Sequence, residues 1–130
     1  MDRLLVSSGA PWEAVAGYSR AVRVGPHVFV AGTTASGVDG PVGGTDIGAQ
    51  TAEVLRRIAA ALAEAGAGVE NVVRTRMFVT DIARWPEVAA AHGAVFGDIR
   101  PASTMVEVSA LIEPGLLVEI EADALLPDSP

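Results

Sequence analysis

The chain has 130 residues, half of them apolar, with no cysteine and a formal net charge of −7. All nine basic residues are arginines, scattered against sixteen acids, so no basic patch is available to displace counterions from phosphates, and nucleic acid is not an expected partner. Without cysteine there is no disulfide framework, thiolate nucleophile or cysteine metal site. No apolar run approaches the ~18 residues of a membrane span, and MDRLLVSSGAPWE lacks the basic and apolar regions of a secretory signal. These features point to one soluble cytoplasmic domain over residues 1–130, with no membrane partner.

In chain order, Leu4 to Ser7 reads as a short strand ended by Ser8-Gly9-Ala10-Pro11. Ala21–Val24 and Val28–Ala31, separated by the Gly25-Pro26 turn, read as a hairpin. Gly32 to Gly44 is glycine-rich but carries neither a phosphate-loop nor a dinucleotide fingerprint, so it reads as a connection with positive-φ positions.

Asp46 to Ala65 is a helix: Ile47, Thr51, Val54, Leu55, Ile58 and Leu62 recur at i+3 and i+4 spacings. Thr45 or Asp46 suits its N-cap and Gly66 its close. Val69 to Asp81 alternates as a strand, with Val73, Thr75, Met77 and Val79 on one side and Val72, Arg74, Arg76 and Phe78 on the other. Two arginines on one strand face are either solvated or a cationic spot for an anionic ligand. Pro86 to Phe96 is the second helix, with His92 on its inward stripe. His27 and His92 lie far apart and offer no paired spacing, so no metal and no cofactor is expected.

The last stretch, Arg100 to Ala124, holds two alternating runs, Thr104 to Val108 and Leu116 to Ala122, joined irregularly through Pro114-Gly115. Glu107, Glu119 and Glu121 sit inside these apolar runs, where a carboxylate faces either water or a site. The order β-β-β-α-β-α-β-β predicts an α+β fold, a mixed sheet of about six strands with two helices on one face. The uncovered face, apolar or bulky on strands such as Val72–Val79, predicts self-association into a symmetric oligomer.

Pro101-Ala102-Ser103-Thr104-Met105-Val106-Glu107-Val108, followed by Pro114-Gly115-Leu116-Leu117-Val118-Glu119-Ile120-Glu121-Ala122, resembles the C-terminal signature of the Rid family. These are the reactive-intermediate (imine/enamine) deaminases, also called YjgF proteins, of chorismate-mutase-like fold. The likeness extends over Val72 to Asp81 and the element order. It implies a homotrimer with three clefts between subunits, each binding a small-molecule ligand. In the deaminating members an arginine after Pro-Ala pairs with the carboxylate of a 2-imino or 2-enamino acid, and a glutamate matching Glu119 handles the attacking water. A tyrosine matching Tyr18 and the backbone around Ala31 and Gly32 line the same cleft.

At the position of that arginine this chain has Ser103, a neutral hydroxyl in place of a charged planar fork. The resemblance then implies either that Arg76, or less directly Arg100, supplies the cation, or that Ser103, Thr104 and Glu119 bind a neutral carbonyl, imine or enamine. Three functions stay open: hydrolysis of an atypical imine or enamine, metabolite binding without catalysis, and the RNA cleavage or translation inhibition attached to some relatives.

Overall fold

The computed structural model describes residues 2–127, so the expected domain limits at Met1 and Pro130 lie outside the described residues. Six strands form one mixed sheet: β1 (Arg3–Val6), β2 (Ala21–Val24), β3 (His27–Thr33), β4 (Val72–Val79), β5 (Ala102–Glu107) and β6 (Val118–Leu125). Their spatial order is β1-β2-β3-β6-β4-β5, antiparallel except for the β4–β5 pair. Helices α2 (Ile47–Glu64) and α3 (Trp85–Phe96) cover one face. This is the expected α+β architecture, with one added element, the six-residue α1 (Pro11–Ala16). Pro11 opens α1, where its missing N–H costs nothing, and Gly17 closes it at φ 79.

The core lies between α2 and the strands. Ile47, Val54, Ile58 and Leu62 meet Val28, Val118 and Ile120, all fully buried. Period 2 sorts β6 cleanly: Val118, Ile120, Ala122 and Ala124 point to the helices, while Glu119, Glu121 and Asp123 point to the opposite face. Asp46 caps α2 by accepting from Ala49 N at 3.0 Å. Gln50, fully buried in α2, fastens two loops at once. Its Nε2 donates to the carbonyls of Gly44 (2.7 Å) and Gly115 (2.9 Å), and its Oε1 accepts from Leu117 N (2.9 Å).

Two details depart from the expectations. Val69–Asn71 is a 3-10 turn, so β4 begins at Val72. A register shift between Val72 and Arg74 then turns Val72 inward and leaves Val73 exposed, while Thr75, Met77 and Val79 point inward as expected. Strands β5 and β6 follow one another in sequence, and β4 lies between them in the sheet.

The face away from α2 and α3 carries Leu5, Val22 and Phe29 in register across β1, β2 and β3, next to Asp123 of β6. Leu5 is 59% and Phe29 49% exposed. Strand β5 ends the sheet with five of its six residues exposed, an open edge for another chain to cover.

Candidate functional site

A cavity of about 850 Å³ opens where β3 departs from regular pairing with β6. The pairing slips between Val30 and Thr33, and the intervening Ala31 and Gly32 line the cavity together with Tyr18 and Glu119. Gly32 is required there by contact: a Cβ at this position would collide with Oε2 of Glu119. Glu119 is half-buried, and burial pushes its carboxyl above the usual carboxylate range. The positive charge of Arg20 opposes that rise and the neighbouring Glu121 reinforces it.

Arg20, at the start of β2, was absent from the sequence-based candidates. The residue is only 9% exposed and lines the cavity. Nη1 donates to the carbonyl of Gly32 (2.6 Å) and to Thr33 Oγ1 (3.0 Å), and Nη2 to Tyr18 Oη (3.4 Å). Behind it lies Glu13 of α1, 3.8 Å from Nε. Burial pushes the Glu13 carboxyl up, but hydrogen bonds from Ser8 and Ser7 and the Arg20 charge outweigh it, so Glu13 titrates below its usual range. The arginine is therefore held by groups on both sides, with Nη1 the most engaged of its nitrogens.

The glycine-rich segment after β3 forms another wall through Thr34 and Ser36. Arg57 of α2 pins it, donating to the Thr34 carbonyl (2.9 Å) and the Ser36 carbonyl (2.8 Å). Glu53 accepts from Arg56 and Arg57, and these hydrogen bonds hold its carboxyl down to about 2.

The model for the endoribonuclease L-PSP family matches residues 8–126. A solved member of the YjgF/YER057c/UK114 family from Mycobacterium tuberculosis superimposes with a TM-score of 0.89 at 59% identity, over 96% of this chain and all of that one. The chain belongs to the Rid/YjgF family. A RutC family protein of Pyrococcus abyssi is 36% identical over 82% of this chain and 84% of its own. The 3-aminoacrylate deaminase RutC of Acinetobacter baylyi is 34% identical over 61% of this chain and 62% of its own.

Of the Rid/YjgF site residues anticipated above, Tyr18, Ala31, Gly32 and Glu119 share the cavity, whereas Ser103, Thr104 and Arg76 lie outside its lining. Arg76 spreads over the outer face, 3.3 Å from Glu121 and 3.2 Å from Asp123, so two carboxylates of its own chain already engage it. Thr104 is exposed on β5 opposite Arg76. Ser103 is also exposed but faces the helix side, where its Oγ lies 2.8 Å from Thr75 Oγ1. Arg100 stands before β5 in a left-handed conformation, φ 58. Within one chain, then, Ser103 and Glu119 occupy different sides of the sheet.

Two of the three carboxylates in the signature have other partners. Glu107 accepts from Ile82 N (3.0 Å) at the turn before α3, and Glu121 pairs with Arg76. The one sequence signal for Arg20 was its place in Gly17-Tyr18-Ser19-Arg20, a charged residue at the mouth of an apolar strand.

Proposed function

We propose that the chain forms a homotrimer that binds a small carbonyl, imine or enamine metabolite in the Glu119 cavity and, where the ligand is an imine or enamine, hydrolyses its carbon–nitrogen bond. One observation carries this reading: a half-buried carboxylate with a raised pKa, set against Gly32 in a cavity that a small metabolite can enter. The activity for which the Acinetobacter relative is named, deamination of 3-aminoacrylate, is of the same reaction class. An enamine first tautomerises to its imine, losing an N–H proton and gaining one at carbon; water then adds across the C=N bond, and Glu119 takes one water proton and returns it to the nitrogen. The carbinolamine then collapses to a carbonyl compound and ammonia. In the trimer, β5 of one subunit borders the cavity of the next, so Ser103 and Thr104 contact the ligand there.

Ser103 sets the substrate preference. Arg76 is engaged by carboxylates and Nη1 of Arg20 by carbonyls and a hydroxyl, so neither is a fully free cation in place of the family's arginine. A neutral or weakly acidic substrate fits better than a 2-imino acid. The same feature favours a second reading, in which the trimer binds such a metabolite without turning it over. The net charge of −7 argues against RNA.

The test is ammonia release from freshly generated 2-iminopropionate, 2-aminoacrylate and an enamine lacking a carboxylate. The expected result is turnover of the uncharged enamine ahead of the acids, lowered about 100-fold or more in Glu119→Gln. Binding without ammonia release would select the second reading, and full activity of Glu119→Gln would remove the carboxylate from the mechanism.

A further inference from the structure

Beneath Ser103 runs a line of side chains for which the chemistry above has no use. Ser103 Oγ lies 2.8 Å from Thr75 Oγ1, and the same Thr75 oxygen lies 2.9 Å from His92 Nε2. Strands β4 and β5 run parallel with Thr75 opposite Ser103, which sets the two hydroxyls side by side, and α3 brings the imidazole over them. Thr75 is fully buried, Ser103 is exposed, and His92 is half-buried with its ring 4.6 Å from that of Phe96.

A threonine hydroxyl has one proton to give. If Thr75 donates to His92 Nε2, its lone pairs are left to receive the Ser103 proton, and Ser103 presents only lone pairs outward. If His92 donates from Nε2, Thr75 donates to Ser103, whose proton then points outward. The three groups are thus set together, and the tautomer of His92 decides what Ser103 offers.

We propose that His92, Thr75 and Ser103 form a proton relay opening at the sheet edge, in which Ser103 exchanges a proton with the nitrogen of the bound ligand. Thr75 and His92 are positioning residues behind it. The role rests on the reading that Ser103 borders the neighbouring subunit's cavity. As the carbinolamine C–N bond breaks, its electron pair goes to nitrogen, which takes the Ser103 proton and leaves as ammonia. The carbinolamine hydroxyl becomes the carbonyl and passes its proton to Glu119. Ser103 is refilled from Thr75, Thr75 from His92 Nε2, and the imidazole from solvent at Nδ1, while Glu119 returns its proton to solvent. Proton count is conserved.

The surroundings suit a shuttle. Thr75 of β4 and Ser103 of β5 complete the chain, Phe96 of α3 flanks the ring, and among the described residues no charged group pairs or hydrogen-bonds with the imidazole. Burial lowers its pKa, which keeps the ring neutral near pH 7 and able to exchange tautomers.

The test is imidazole 1H–15N NMR on the intact, ligand-free protein, whose two histidines make His27 an internal control. Ser103→Ala removes a group hydrogen-bonded to Thr75 rather than to His92, yet the relay requires the His92 tautomer balance and titration to move. Thr75→Val should move them further and Thr75→Ser restore them, with His27 unchanged. On a substrate that the wild type turns over, His92→Gln should lower kcat about 10- to 100-fold at unchanged KM. Identical His92 titration in wild type and Ser103→Ala overturns the relay, as does an unchanged kcat in His92→Gln. If the wild type releases no ammonia, the hydrolysis reading fails and the ring titration alone decides the relay.

Discussion

The carboxylate of Glu119 fills the space that any side chain at Gly32 would need. The colliding atoms are the flexible end of Glu119 rather than backbone, so Gly32→Ala should fold and push the carboxylate aside. Its melting temperature is expected within a few degrees of wild type, roughly the effect of 1 kcal/mol or less in a domain of this size. Its ammonia release should drop as far as that of Glu119→Gln. A fully active Gly32→Ala would mean that the carboxylate works from another position.

The environment of Glu119 also predicts a cost to stability. Burial is the main cause of its raised pKa, so the folded state holds this proton more tightly than the unfolded chain, whose value is 4.5. The contribution to stability is therefore complete below pH 4.5 and is lost as pH rises through the folded value. At neutral pH the ionised group works against folding. Glu119→Gln should melt at a higher temperature than wild type at pH 7, and the gap should narrow below pH 4.5. Thermal scans across pH 4 to 8 read this directly; a Gln variant that melts lower at pH 7 would contradict it.

Local rules made much of the fold legible. The apolar spacing of Ile47 to Leu62 with the Asp46 cap yields α2 with its ends displaced by one residue, and Gly25-Pro26 yields the β2–β3 hairpin with Gly25 at φ 59. What the sequence did not show depends on partners distant in the chain. The outward turn of Val73 comes from a slip against β6, and α1 is too short for periodicity to reveal. Tyr18, Ala31, Gly32 and Glu119 came from a family likeness, and the cavity brings those four together. Arg20 escaped because its burial depends on carbonyls freed by the β3 irregularity. The Ser103–Thr75–His92 line escaped because it needs the β4–β5 register and the position of α3 at once.

Gln50, itself fully buried, ties α2 to two loops through three part-buried hydrogen bonds. Gln50→Leu keeps the approximate volume but strands two carbonyls and one N–H. At ~1–3 kcal/mol for each unsatisfied buried group, relieved in part by water, a loss of about 3–5 kcal/mol is expected. Denaturant unfolding at unchanged m-value would measure it, and a loss below about 1 kcal/mol would show that the loops hold their positions without the amide.

Phe29 sits in the apolar row of the outer face, 49% exposed beside Asp123. Phe29→Asp adds a second carboxylate there, which costs an isolated subunit little but puts an unpaired charge into any interface covering this face. Light scattering should report about 40 kDa for wild type, three times 13.3 kDa, and a shift toward the single-chain mass for the variant. A variant that keeps the wild-type mass would place the interface elsewhere.

Ser103→Arg tests whether this one position sets substrate preference. The residue is exposed on an edge strand, so the longer side chain has room and the fold should be unaffected. A charge-assisted hydrogen bond contributes ~1.5–3 kcal/mol against ~1 for a neutral one, which corresponds to about 10- to 100-fold in carboxylate affinity. KM for 2-iminopropionate should fall by that order, while the uncharged enamine gains nothing from the new charge. The substitution also removes the hydroxyl that Thr75 touches, so kcat for both substrates should fall if the relay operates. A lower KM for the acid alone, with kcat lowered for both substrates, is the signature expected. Unchanged kinetics for both would show that Ser103 does not border the bound ligand.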